Sequence, residues 1–64
     1  MQEKSNMQYL EEMELIAMDT KKEFVYDKHK GEWLWGNRGD VYQDYFGGFK
    51  TRLEALKDAV EPYL

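Results

Sequence analysis

The chain contains no cysteine, a single histidine, a single serine and a single proline. Without cysteine it forms neither a disulfide bond nor a cysteine-ligated zinc site. Ser5 lies close to the start of the chain and His29 in a predicted turn, so no pocket is expected to hold a nucleophile, a base and an acid together. We therefore expect a protein that is not an enzyme, with no catalytic residue, no metal and no other cofactor.

Long apolar segments are also missing. No run approaches the roughly 18 apolar residues that a transmembrane helix requires, and the first residues lack the basic region and apolar stretch of a secretory signal. These absences predict a cytoplasmic protein without a membrane partner. With 64 residues, the chain is expected to form one small α+β domain over residues 1–64, and self-association would add the stability that so small a core lacks.

Acidic residues outnumber basic residues, but the excess is uneven along the chain. The net charge is −4, of which residues 1–20 carry −4, residues 21–52 carry +2 and residues 53–64 carry −2. An acidic balance disfavours non-specific binding to nucleic acid, because that binding depends on cations that neutralise phosphates. A locally basic surface within residues 21–52 is still compatible with this composition.

The segment from Ser5 to Met18 is predicted to be a helix. Ser5 and Gln8 have the spacing of a capping box, and the apolar residues that follow recur at i, i+3 and i+7, as on one face of a helix. The alternative is that residues 13–18 form a strand, which would add a fourth strand to the sheet described next.

Alternating apolar and polar residues predict three short strands, over residues 23–28, 32–36 and 41–46. Turn-forming residues separate them, at 29–31 and at 37–40. The alternation places Trp33 and Trp35 on one face of the sheet and Leu34 on the other. Gly47 and Gly48 are predicted to end the third strand.

A second helix is predicted after the strands. Thr51 and Glu54 have capping-box spacing. The apolar stripe of this helix is predicted to consist of Leu53, Leu56, Val60 and Leu64. The predicted fold is therefore α+β: a three-stranded antiparallel meander that packs against a C-terminal helix, with an N-terminal helix or a fourth strand in front.

Eight of the ten aromatic residues lie between Phe24 and Phe49. One helix covers one face of a sheet, so some rings are expected to stay exposed and to contact a partner. The acidic first segment provides a second candidate surface, which would imitate the phosphates of nucleic acid. The predicted partner-binding residues are Trp33, Trp35, Tyr42, Tyr45, Glu11 and Glu12.

Basic side chains interleaved with the aromatics would suit single-stranded nucleic acid, by stacking and phosphate contacts. The predicted contacts are Lys28, Lys30, Arg38, Lys50 and Arg52. Residues 48–55, GFKTRLEA, resemble the sheet-to-helix junction of the arm-site-binding domain of tyrosine-type phage integrases. The resemblance implies a three-stranded sheet with a C-terminal helix and DNA binding, although the sheet of that family is strongly basic and this one is not.

The leading expectation is a non-enzymatic, small acidic protein-binding module: an inhibitor, adaptor or regulatory protein of the kind that phages and mobile elements encode. A nucleic-acid-binding module that uses the basic aromatic sheet is one alternative. A structural homodimer, with Met7, Met13 and Met18 in its interface, is the other. The expected partner is thus another protein or a second copy of the chain.

Overall fold

In the computed structural model, which describes residues 5–39 and 44–64, one helix precedes a three-stranded antiparallel sheet and a second helix follows it. The elements are α1 (Asn6–Asp19), β1 (Lys22–Asp27), β2 (Glu32–Asn37), β3 (Phe46–Phe49) and α2 (Arg52–Val60), followed by a 3₁₀ turn (Glu61–Tyr63). The strands are ordered β1-β2-β3, as in a meander. The predicted α+β fold is confirmed, and its first segment is a helix rather than a fourth strand.

Local side-chain hydrogen bonds define both ends of α1. At the start, Ser5 Oγ accepts the Gln8 N–H (3.2 Å) and Gln8 Oε1 accepts the Ser5 N–H (3.1 Å), which confirms the capping box. At the end, the Thr20 hydroxyl donates to the carbonyl of Ile16 (2.7 Å). Lys21 then adopts a positive φ of 57°, and this left-handed residue turns the chain from α1 into β1.

The turn between β1 and β2 is organised by Asp27. Its carboxylate accepts the backbone N–H groups of His29 (2.9 Å) and Lys30 (3.3 Å), and its carbonyl accepts the N–H of Gly31 (2.8 Å). The register that follows pairs Phe24 with Trp35 and places the two rings on the same face.

The third strand differs from its prediction. Of the predicted residues 41–46, residues 41–43 lie outside the described part of the chain, and Asp44 and Tyr45 precede the strand. Gly47 and Gly48 do not end the strand but lie inside it, where both oppose Leu34 in a β-bulge. Gly48 has a φ of +93°, which glycine adopts without steric cost.

Helix α2 starts where the sequence predicts. Thr51 Oγ accepts the N–H of Glu54 (3.1 Å), whereas the Glu54 carboxylate accepts the N–H of Lys50 (3.1 Å) instead of that of Thr51. The predicted stripe is only half right: Leu56 and Val60 are buried together with two alanines, but Leu53 and Leu64 are exposed. Leu64 is exposed because α2 ends at Val60. The residues that follow no longer have the helical period that would place Leu64 on the same side as Val60.

Both helices pack on the same face of the sheet. Met13 and Ala17 of α1 form the core with Leu56 and Val60 of α2, and Phe24 of β1 packs against this cluster. The opposite face, which carries Val25 and Leu34, receives neither helix among the described residues. Helix α1 therefore adds a second helix to the covered face and leaves the other face of the sheet as an open face.

Candidate functional site

The two tryptophans lie on the face of the sheet that receives the helices, the face of Phe24. The indole N–H of Trp35 donates to Asp58 of α2 (2.8 Å), and its ring stacks on Phe46 with 4.6 Å between ring centroids. Trp33 contacts Tyr26 at a centroid distance of 5.4 Å. Both indoles are half-buried. The hydrogen bond of Trp35 links α2 to the sheet, whereas the two ring pairs link neighbouring strands within it.

Tyr45 lies on the open face, away from the tryptophans. Its ring covers Gly36, where an added Cβ would stand 2.8 Å from the ring, and its hydroxyl donates to the carboxylate of Glu23. The hydrogen bond to Glu23, then partial burial, and then the negative charge of Glu23 raise the pKa of Tyr45. The fourth predicted aromatic residue, Tyr42, lies outside the described residues.

The predicted nucleic-acid contacts are spread over the fold. Lys28 and Lys30 lie in the turn at one end of the sheet, and Arg38 follows β2 at the other end. A six-residue strand of about 20 Å separates these two positions. Lys50 precedes α2 and Arg52 is its first residue. The fold thus does not join the five side chains into one surface.

The single histidine and the single serine lie on different elements of the fold. His29 is exposed in the turn between β1 and β2, and Ser5 caps α1. Among residues 5–39 and 44–64, no three acidic or histidine side chains are arranged to hold a metal ion. Within the same residues, no helix has the length and apolar character needed to cross a bilayer.

Helix α1 exposes a run of apolar side chains on the side that faces away from the core. Met7 is 74% exposed, Leu15 60% and Met18 73%, and Leu10 is 41% exposed beside them. Met7 and Met18 lie eleven residues apart, three helical turns along one side. The sequence predicts Met7 and Met18 in an interface, but it does not predict this whole surface, because the apolar periodicity at Leu10 points to the core.

Carboxylates lie among these apolar side chains. We define the outer face of α1 as Met7, Leu10, Glu11, Glu14, Leu15 and Met18. Four of these residues, including Glu11 and Glu14, line a shallow apolar depression. Glu12 and Asp19 flank the outer face, and the helix contains no lysine or arginine. Among the described residues, Arg52 of α2 compensates one of these carboxylates, since it contacts Glu14 at 2.6 Å.

The outer face of α1 brings predicted partner-binding carboxylates together with methionines that were predicted to lie in a dimer interface. Glu11 lies on it and Glu12 beside it, as parts of one acidic surface. Met7 and Met18 also contribute, whereas Met13, the third methionine of the predicted dimer interface, is 2% exposed and belongs to the core.

No known protein family matches the chain, and no curated protein or solved structure is significantly similar to it. The resemblance of residues 48–55 to the integrase domain therefore remains a short local resemblance. The exposed surfaces of the fold, and above all the outer face of α1, are therefore the features that bear on function.

Proposed function

We propose that this protein is a non-enzymatic protein-binding module that docks a basic, amphipathic helix of another protein on the outer face of α1. The observation that carries the proposal is the exposure of Met7, Leu15 and Met18 beside Glu11 and Glu14 on one helix. Exposed apolar side chains of this size in a group are typical of contact surfaces. Methionines suit them because their side chains adapt to the shape of the partner.

Charge favours a basic partner over a second copy of the chain. Two outer faces in contact would bring Glu11 and Glu14 of one copy close to the same carboxylates of the other. Within the described part of the chain, Arg52 of α2 compensates Glu14, whereas no ion pair compensates Glu11. A partner helix with leucines on one side and lysines or arginines at its borders satisfies the apolar and the acidic groups together.

The test is a binding titration with a fluorescein-labelled amphipathic peptide of leucine and lysine, followed by anisotropy. Saturable binding to the purified chain is expected, and it should weaken as salt is raised because screening reduces the charge contribution. The double variant Leu15→Ser/Met18→Ser removes two apolar contacts. At about 1 kcal/mol for each lost contact, binding should weaken about tenfold or more.

The matched control is Val25→Thr, which changes a 43%-exposed apolar side chain on the open face of the sheet. This variant should bind the peptide like the wild type. A second peptide with glutamate in place of lysine should not bind. The proposal fails if both peptides bind equally, if neither binds, or if the Leu15/Met18 variant binds as tightly as the control.

A further inference from the structure

Four cationic side chains converge on a cleft at the end of α1. The cleft has a volume of about 210 Å³ and is lined by Glu14, Ala17, Met18, Lys21, Lys22, Arg38 and Arg52. This volume lies below the roughly 300–1,000 Å³ of pockets for drug-sized molecules. The cleft therefore suits one small charged group rather than a large ligand.

The cleft keeps a positive charge in a chain whose net charge is −4. Among residues 5–39 and 44–64, its lining has four cations and one carboxylate, that of Glu14, which contacts Arg52 at 2.6 and 3.4 Å. Glu23 lies 3.7 Å from Arg38 and compensates part of a second charge. An arginine has five N–H donors, so one carboxylate leaves both guanidinium groups with donors for another anion.

The two lysines of the cleft differ. The Lys22 ammonium donates to Asn37 (2.5 Å) and to the hydroxyl of Tyr63 (3.4 Å), so it contributes charge but has fewer donors to offer. Lys21 has no ion-pair partner among the residues that the structure describes. It also occupies a left-handed backbone position, at φ 57°, where glycine is the usual residue. Strained backbone positions of this kind are found most often at functional sites.

We propose that this cleft binds a doubly charged phosphate, either free or as the monoester group of a small ligand, through Lys21, Arg38 and Arg52. Planar guanidinium groups and a lysine ammonium are the side chains that bind phosphate oxygens most effectively. A nucleic-acid backbone fits less well, because Lys28 and Lys30 lie at the other end of the sheet and acidic α1 borders the cleft. The proposal does not require a helix docked on α1, although Glu14 and Met18 line both the cleft and the outer face of α1.

The experiment is an NMR titration of the full chain with inorganic phosphate and with glycerol 3-phosphate. Sodium chloride at equal ionic strength and a ten-residue thymidine oligonucleotide are separate arms. Saturable shifts of the backbone amides of Lys21, Arg38 and Arg52 are expected, with a dissociation constant of about 1 mM, as for a few exposed charge contacts. If glycerol 3-phosphate binds more tightly than phosphate, the ligand is a monoester. If the two bind equally, it is the free ion.

Two variants test the cleft without relying on a destabilised chain. Lys21→Gly should weaken phosphate binding about fivefold or more, while its unfolding temperature stays equal or rises by up to about 5 °C, because glycine relieves the left-handed backbone. Arg38→Gln should weaken binding similarly. Lys28→Gln removes the same charge from the distant turn and should bind as the wild type does.

Three results would overturn the proposal: chloride producing the same shifts as phosphate, Lys21→Gly binding phosphate as well as Lys28→Gln does, or the oligonucleotide binding while both phosphate ligands leave the cleft amides unmoved.

Discussion

Tyr45, Gly36 and Glu23 show how single residues shape the open face of the sheet. The missing side chain of Gly36 lets the Tyr45 ring approach the central strand closely, and the Tyr45 hydroxyl donates to the Glu23 carboxylate. An aromatic ring over a cross-strand glycine replaces the packing that the glycine lacks. This arrangement packs the ring of Tyr45 against the sheet, although the residue itself precedes β3.

The hydrogen bond to Glu23 predicts a pH dependence. Donation requires the protonated phenol, and the folded-state pKa of Tyr45 is raised above its ordinary value of 10.0. The stability from this contact is therefore complete below about pH 10 and is lost as pH rises through the raised pKa. The absorbance difference near 295 nm between the wild type and Tyr45→Phe should titrate with a midpoint above pH 10. Above that pH, the wild type should also lose stability more steeply than Tyr45→Phe.

Glu23→Gln provides the control for this titration. The neutral amide still accepts a hydrogen bond but removes the negative charge that disfavours the tyrosinate. The Tyr45 midpoint should then move back toward 10.0. An unchanged midpoint in Glu23→Gln would show that the negative charge of Glu23 does not contribute to the shift.

At the scale of single elements, the helix starts were predictable because capping is local. Ser5 and Thr51 each accept an N–H from the residue three positions later, and both positions can be read from the sequence. The strands β1 and β2 were predictable within about one residue at each end from alternation. Local chemistry decides these elements before tertiary contacts form.

Replacing Thr51 tests how much the cap contributes to α2. Thr51→Ala leaves the Glu54 N–H without its side-chain acceptor and should lower the free energy of unfolding by about 0.5–2 kcal/mol, measured by urea denaturation. Thr51→Ser keeps the hydroxyl and should be close to the wild type. Equal stabilities of the alanine and serine variants would mean that the cap contributes nothing.

The third strand and the exposed side of α2 were not predictable locally. Gly47 and Gly48 look like a strand end in the sequence, yet pairing with β2 keeps them inside β3, with Leu34 packed over Gly47. Likewise, the periodicity of α2 allows Leu53 to be buried, but the packing of the folded chain leaves it 43% exposed. Both outcomes depend on a neighbouring element.

At the scale of the whole molecule, the packing of both helices on one face creates two exposed apolar surfaces. One is the outer face of α1. The other is the open face of the sheet, where Val25 is 43% exposed and the flanking side chains include Glu23, Asp27 and Glu32. Carboxylates border both surfaces, so two copies repel each other whichever pair of like surfaces they bring together.

This charge distribution predicts a monomer. Sedimentation equilibrium at neutral pH and about 50 mM salt should give the 7.7 kDa mass of one chain. Association should increase near 1 M salt, where screening acts over about 3 Å and the apolar contacts persist. Leu15→Ser/Met18→Ser should reduce this association if α1 mediates it. A stable dimer at low salt would contradict the prediction and favour the homodimer alternative.

The sequence by itself indicated the three strands and the C-terminal helix, the helix caps, and the face of the sheet on which the aromatic residues of β1 and β2 lie. These features depend on interactions between near neighbours and on the fixed periods of helix and strand. Only the tertiary structure decided that both helices share one face, that Tyr45 and the tryptophans lie on opposite faces, and that Lys21 meets Arg38 and Arg52 in one cleft. Those outcomes depend on packing between segments that are distant in the sequence. The pattern of apolar and polar residues along the chain does not specify which of these segments come into contact.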